Sequence, residues 1–298
     1  MNIGYVGLGN MGGALARRLQ LSHKLHVFDL NEAAVQRMVE KGATACATLG
    51  ELAQRCDVIF LCLPKSDHVR TAIFGANGLT AGLQKNTLII DQTTGDPIAT
   101  RAMAQELAQQ GIDLIDAPVS GGAMGAEAGT IAVMVGASEA LYARIEPVLK
   151  TISPNIFHAG DVGAGQVIKL VNNLISGVQR LLTFEGIALA TKNGIDPVRA
   201  CDILMAGGGK NAFMEKMMAP QILKGKLDVG FTLGLMHKDM NLACQLGSDT
   251  GVPLFFGNVA RELYQMCISE KGANAEVHTS ALVMDRLAGT HMVPVAAK

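Results

Sequence analysis

The sequence predicts two domains: an α/β domain on a doubly wound parallel sheet, then an all-helical domain, joined by a long helix. Three observations carry that reading. Short apolar runs alternate with helical patterns over the first half of the chain. A glycine-rich break, Gly160-Asp161-Val162-Gly163-Ala164-Gly165, then ends the alternation. Everything after it reads as helix, beginning with a long apolar stretch from Gln166 to Asn193. The boundary is therefore set between residues 162 and 163, giving domains 1–162 and 163–298, with the joining helix at 163–193.

Strands are expected at Asn2–Val6, Leu25–Phe28, Asp57–Leu61, Thr87–Ile90 and Asp113–Asp116. Runs this apolar suit a parallel sheet covered on both faces. Helices between them include Gly12–Leu21, Glu32–Lys41 and Pro97–Gln110, where Pro97 suits a first helical position that needs no N–H. The joining helix carries Val167, Ile168, Leu170, Val171, Leu174, Ile175, Val178, Leu181 and Leu182. It is apolar on most sides, which predicts burial at the centre of the protein. Gly194 and Pro197 end it. Further helices are expected at Pro197–Met205, Asn211–Leu223, Leu233–Leu246, Pro253–Ser269 and Thr279–Leu287. The tail His291–Lys298 has little pattern and reads as mobile.

Composition narrows the function. Of 298 residues, 49% are hydrophobic, enough for a sizeable core. A formal net charge of -1 favours neither nucleic acid nor an anionic membrane surface as partner. No apolar run reaches the roughly eighteen residues of a membrane span. The strand pattern begins at Ile3 with no basic leader before it, so a cytoplasmic protein is expected. The six cysteines are scattered and form no C-x-x-C pair, which predicts reduced, buried thiols and no metal. The apolar helical half calls for a partner, at least a homodimer, with a homotetramer equally open.

Gly7-Leu8-Gly9-Asn10-Met11-Gly12 is G-x-G-x-x-G between a strand pattern and a helix pattern. The first glycine permits the tight turn, the second lets a pyrophosphate approach the backbone, and the third lets helix and strand pack closely. The helix N-terminus then offers free N–H groups to phosphate. The second strand ends in Asp29, where a carboxylate binds a ribose hydroxyl. It repels a 2′-phosphate, and Leu30, Asn31 and Glu32 bring no cation, so NAD is favoured over NADP. The alternative is a ligand-free turn, with Asp29 merely capping the next helix.

Asp116-Ala117-Pro118-Val119-Ser120-Gly121-Gly122 follows an apolar strand, at the strand end where open α/β sheets bind ligands. Ser120, Gly121 and Gly122 can aim a hydroxyl and successive N–H groups at a small carboxylate, although the same residues also make ordinary turns. Lys169 and Asn173 interrupt the long apolar helix at i and i+4, and so share a face. A buried lysine needs a partner, and desolvation lowers its pKa towards that of a general acid/base. Asn173 can hold a substrate oxygen. The alternative is a lysine snorkelling at the helix edge. Lys238, with Asp239 as ionic partner, can reach cofactor or substrate, or else belong to a solvated turn.

Together these segments resemble the β-hydroxyacid dehydrogenase family, whose members include 3-hydroxyisobutyrate dehydrogenase and tartronate semialdehyde reductase. The matching features are G-L-G-N-M-G at Gly7–Gly12, D-A-P-V-S-G-G at Asp116–Gly122, G-x-G-x-x-x-K-x-x-N-N at Gly163–Asn173, and Lys238-Asp239. The resemblance implies an N-terminal Rossmann domain, a long interdomain helix and a helical dimerising domain. It implies hydride transfer between NAD and a small β-hydroxy acid, with Lys169 catalytic and Ser120, Gly121, Gly122 and Asn173 on the substrate. It also implies that Leu63-Pro64, Thr93-Thr94 and Lys238 line the cofactor site.

The chain departs from the family pattern twice. Asp91-Gln92-Thr93-Thr94-Gly95-Asp96-Pro97 stands where many members have a Ser-Thr pair followed by an apolar residue. Towards the carboxyl end, His278-Thr279 precede Ser280-Ala281 where relatives often carry an acid. Both bear on the pocket, whose closing side chains are expected from the Ala206–Phe213 loop, mobile at Gly207-Gly208-Gly209, and from Phe231, Leu235 and Met236. Lys169 argues against an imine reductase, and the chain is too short for a 6-phosphogluconate dehydrogenase. An NADPH-dependent reductase of tartronate semialdehyde, glyoxylate or succinic semialdehyde is opposed by Asp29. A catalytically dead interaction module is opposed by Lys169.

Overall fold

Parallel strands β1 (Ile3–Val6), β2 (Leu25–Phe28), β3 (Thr44–Ala45), β4 (Val58–Leu61), β5 (Leu88–Asp91) and β6 (Asp113–Asp116) form one sheet in the order β3-β2-β1-β4-β5-β6. The strand order reverses beside β1, the switch point at which doubly wound sheets open a crevice for ligands. The computed structural model describes residues 1–294. They divide into two compact units that separate between Lys169 and Leu170.

In the first unit, successive residues of each strand feed opposite cores. Ile3, Tyr5, Val27, Val58, Phe60 and Ile90 pack on one face. Val6, Ile59, Leu61, Ile89 and Leu114 pack on the other. That is why these strands read as continuous apolar runs. Helices α1 (Asn10–Gln20), α2 (Glu32–Val39), α3 (Leu49–Arg55), α4 (Ser66–Phe74) and α5 (Pro97–Ala108) make the crossovers. Asp96 caps α5 through Ile98 N at 2.8 Å, with Pro97 in its first turn.

The sheet extends beyond the strands expected from sequence. Strand β7 (Val119–Ser120) pairs antiparallel with β8 (Ala132–Gly136), which also meets β6 antiparallel and β9 (Ile156–Gly160) in parallel. Helices α6 (Gly122–Ala128) and α7 (Glu139–Ile152) join these strands. The Ser-Gly-Gly segment is thus a strand end running into a helix.

Helix α8 runs from Ala164 to Lys192. Its sides are not all covered: Ile168, Val171, Ile175, Leu182 and Leu189 are exposed, from 40% at Val171 to 68% at Leu189. The central burial expected from its composition therefore holds for only part of its circumference. The second unit adds α9 (Pro197–Ala206), α10 (Leu233–Thr250), α11 (Phe255–Lys271) and α12 (Ser280–Ala288) around two cores.

The α-helix expected over Asn211–Leu223 is instead a π turn, Met214–Met218, followed by a 3₁₀ turn, Ile222–Lys224. Pro220 cannot donate to an α-helical carbonyl. The wider turn, closed by Ala219 N to Met214 O at 3.1 Å, leaves Phe213, Met214 and Met218 all buried. At the carboxyl end, Met292 and Val293 are buried and their amides donate to Asp285 at 2.7 and 3.0 Å, so this part is anchored. The rest of the expected mobile tail, 295–298, lies outside the described residues.

Candidate active site

The glycine turn occupies the carboxyl end of β1. Gly7 has φ +91°, and a side chain there would collide with the Cys62 carbonyl, as one at Gly12 would with that of Gly7. At Gly9 a Cβ would meet no atom within 4 Å. The backbone is therefore packed behind and open in front, which fits the approach of a pyrophosphate to the start of α1. Asp29, at the end of β2, is oriented by two amides: Leu8 N donates to Oδ2 at 2.5 Å and Asn31 N to Oδ1 at 2.7 Å. The cap of α2 is Asn31, whose side chain accepts from Ala34 N at 3.3 Å. Asp29 is thus not the helix cap.

Adjacent strand ends are tied in series. Leu63 N donates to Thr93 Oγ1 at 3.0 Å, and Asp96 N to Ser66 Oγ at 2.9 Å. Pro64 is exposed and Thr94 half-buried beside them. Gln92 is buried and accepts from Tyr5 Oη at 2.7 Å, so the first departure from the family pattern is absorbed by the sheet.

Two residues that sequence reading passed over hold the start of α8. Asp116, fully buried at the end of β6, accepts from Gly163 N at 2.6 Å and from Gln166 N at 2.7 Å. These are two of the donors a helix N-terminus leaves without an intrahelical partner. Burial pushes the Asp116 carboxyl up to about 6, against the downward pull of those amides and of the Arg101 charge. Gln166, also fully buried, accepts from Gly95 N and donates to Thr93 O, both at 2.8 Å. Lys169 stands one turn further along α8 and is buried. Asp116 lay within a recognised motif, but the sequence carried no sign of partners some fifty residues away.

In the second unit, Asn173 is buried, with both ends of its amide hydrogen-bonded. Its Nδ2 donates to Asp239 Oδ2 at 2.6 Å, and its Oδ1 accepts from Asn172 Nδ2 at 3.0 Å. Lys238 Nζ lies 3.0 Å from Asp239 Oδ1, an ionic contact that does not meet hydrogen-bond geometry. Asp239 thus joins Lys238 to Asn173, a link that adjacency of Lys238 and Asp239 did not foretell. Of the side chains expected to close a pocket, Met236 belongs to the core with Met240 and Tyr264, and Phe213 is buried. The loop at Gly207–Gly209 is exposed.

Ser120 is half-buried at the end of β7, and Gly121 and Gly122 are exposed at the start of α6. Gly121 has φ +139°, a conformation that excludes other residues without strain. Among the described residues no helix is long and apolar enough to cross a membrane.

Residues 2–160 match the family described as the NAD-binding domain of 6-phosphogluconate dehydrogenase. Residues 163–284 match that described as NAD-binding of NADP-dependent 3-hydroxyisobutyrate dehydrogenase. The chain is 39% identical over 266 residues to the 2-(hydroxymethyl)glutarate dehydrogenase of Eubacterium barkeri, covering 89% of this chain and 88% of that one. It is 36% identical to the 3-hydroxyisobutyrate dehydrogenase of Pseudomonas aeruginosa, over 89% of this chain and 91% of that one. Among solved structures, the Mycobacterium tuberculosis 3-hydroxyisobutyrate dehydrogenase with L-serine superposes with a TM-score of 0.84 at 29% identity, covering 95% of this chain and 98% of that one.

Proposed function

The chain belongs to the β-hydroxyacid dehydrogenase family, and from that premise we propose that it moves a hydride between NAD and a small β-hydroxy acid, with Lys169 as general acid/base. The observation that carries the proposal is the placement of Lys169. It is a buried lysine one helical turn beyond a start pinned by Asp116 and Gln166, with Asn173 one turn further on. A charge is worth burying in so constrained a place when it handles a proton.

Gly7, Leu8, Gly9, Asn10, Met11 and Gly12 hold the pyrophosphate and Asp29 a ribose hydroxyl, while Leu63, Pro64, Thr93, Thr94 and Lys238 line the cofactor. The nicotinamide, when bound, supplies the hydride acceptor or donor. Ser120, Gly121 and Gly122 receive the substrate carboxylate, and Asn173 orients the reacting oxygen. Lys169 takes the hydroxyl proton as the C–H hydride leaves and the C=O bond forms. In the reverse direction it returns that proton to the carbonyl oxygen. Asp29 supports NAD over NADP, since its carboxylate is held in place and the next three residues bring no cation.

The exposed row on α8, with Phe255, Phe256 and Val259 on α11, supports a homodimer or homotetramer. All six cysteines are free and five of them are buried, in keeping with a reducing, cytoplasmic setting.

The test is reduction of NAD or NADP by the purified protein against 3-hydroxyisobutyrate, glycerate, serine, threonate, 3-hydroxypropionate and 2-(hydroxymethyl)glutarate. Faster turnover with NAD is expected. Lys169→Ala is expected to lose at least about a hundredfold in kcat, in the range of general acid–base contributions, while binding NAD within about twofold. A Lys169→Ala variant that keeps most of its kcat overturns the assignment.

A further inference from the structure

Gln166 is fully buried in the first turn of α8, and both ends of its side-chain amide are bonded to backbone beyond the helix. Oε1 accepts from Gly95 N and Nε2 donates to Thr93 O, both at 2.8 Å. An amide offers a donor and an acceptor side by side, and so answers a backbone N–H and a backbone C=O together. A carboxylate or a thioether of similar length cannot. The segment it grips has ties of its own. Thr93 N donates to Asp91 Oδ1 at 2.9 Å, Thr93 Oγ1 accepts from Leu63 N at 3.0 Å, and Asp96 N donates to Ser66 Oγ at 2.9 Å. Gln166 therefore adds little to the shape of that segment. What it fixes is α8 relative to it.

The preceding residue seats the helix on another side. A Cβ at Gly165 would overlap the Met134 carbonyl, so α8 lies directly against β8 there. Successive residues of an α-helix point about 100° apart. Measured from Gly165, Gln166 points at about 100°, and Lys169 at about 40° one turn further along. The direction of Lys169 thus falls between the two anchored directions. All of these residues belong to the first unit. The remaining ties at this helix end, from Asp116, reach the backbone amides of Gly163 and Gln166. Backbone atoms lie within about 2.3 Å of the helix axis, and so resist rotation through a short lever.

We propose that Gln166 is a positioning residue: by tying α8 to the Thr93–Gly95 segment it sets the rotation of the helix about its axis, and with it the aim of Lys169. The proposal rests on the reading given above, in which Lys169 is the general acid/base and Thr93 and Thr94 line the cofactor. The lever is long enough to matter. A rotation of about 10° moves a group at the roughly 6 Å outer radius of a helix by about 1 Å. A misplacement of about 1 Å at a reacting centre costs on the order of a hundredfold in rate.

Gln166→Met keeps the side chain's length and removes both bonds. In the full-length protein it is expected to lower kcat at least about tenfold, within the range of a small misplacement. KM for the hydroxy acid and Kd for NAD should stay within about threefold of wild type, since the gripped segment keeps its other ties. A substrate deuterated at the carbinol carbon should show a larger isotope effect on kcat than in the wild type, because hydride transfer has become the slow step. The double variant Gln166→Met/Lys169→Ala should be no slower than Lys169→Ala, since residues that act as one unit are not additive. A residue that served only stability would lower the thermal midpoint and leave this split unmoved. An unchanged kcat, a loss confined to KM or to NAD binding, or losses that multiply in the double variant overturns the proposal. Gln166→Glu keeps an acceptor for Gly95 N and sets two acceptors together at Thr93 O. It is expected to show the same split, and decides the matter if the methionine variant does not fold.

A readout without turnover separates the positioning of Lys169 from its chemical role. Cyanate carbamylates lysine amines, and peptide mass spectrometry follows Lys169 apart from the other lysines. In Gln166→Met the rate at Lys169 is expected to rise severalfold relative to the other lysines, as the amine leaves its buried setting. An unchanged relative rate overturns the proposal, whether or not any hydroxy acid is turned over. If Lys169→Ala keeps its kcat while carbamylation of Lys169 still depends on Gln166, the fault lies in the general acid/base assignment and not in the positioning.

Discussion

Asp116 shows how one buried carboxylate can serve geometry at an electrostatic cost. Its two amide bonds hold the start of α8, yet burial outweighs them and its pKa rises to about 6. An acid whose folded pKa exceeds its unfolded value of 3.8 favours the folded state most at low pH, and that contribution fades as pH rises to 6. Relative to Asp116→Asn, the wild type should therefore lose about 2 kcal/mol of stability between pH 4 and pH 6, with the loss levelling off about one pH unit higher. Urea unfolding of both proteins across that range checks this, and a constant difference would mean that Asp116 ionises as freely as in the unfolded chain. The space around this carboxylate is equally constrained. A Cβ at Gly165 would overlap the Met134 carbonyl and stand 2.8 Å from Asp116 Oδ2. Gly165→Ala should cost about 3 kcal/mol, measurable by denaturant unfolding, because backbone and not a flexible side chain must yield.

Helix α8 makes the corresponding point for elements. Its exposed apolar residues fall at steps of three, four, seven and seven, a single stripe along its length. In the proposed homo-oligomer, Leu182→Glu and Leu189→Glu, which place charge on that stripe, should lower the solution mass measured by light scattering to that of a monomer. An unchanged mass would remove the stripe from the subunit interface. The helix was legible in the sequence because apolar residues persist with no proline before Pro197, although Gly177 and Gly186 lie within it. Which of its sides are covered was not legible, since composition does not say what stands opposite. The first six strands were legible for the same reason, except for β3, whose two residues are exposed.

Strands β7 and β9 were not legible because two-residue and edge strands owe their existence to pairing rather than to pattern: β9 presents Phe157, His158 and Ala159 to solvent, whereas β8 is an apolar run within the sheet that the sequence does display. The π turn at Met214–Met218 was not legible because its apolar spacing resembles that of a helix, and Pro220 falls only after it. For the candidate site, residues sharing a helix could be grouped from sequence, as with Lys169 and Asn173, both buried on α8, and their roles are proposals. The contacts of Asp116, Gln166 and Asp239 join residues 47 to 73 positions apart, beyond the range of local periodicity.

At the scale of the whole molecule, a bound dinucleotide should show as global stabilisation. NAD at about a hundred times its Kd adds roughly 2.7 kcal/mol, which in a chain of this size moves the thermal midpoint by about 4 °C. A scan with and without NAD measures it, and Asp29→Ala should abolish most of the shift. An undiminished shift in that variant would detach Asp29 from cofactor binding. The contact between Leu8 N and Asp29 Oδ2 has a wider consequence. The residue that would discriminate between coenzymes also buttresses the loop that would hold what both coenzymes share. A lineage cannot exchange one for the other by replacing Asp29 alone without loosening its grip on either. Descendants would have to cross a valley of weakened binding, or first acquire a second brace for the loop, so coenzyme preference here should be historically sticky.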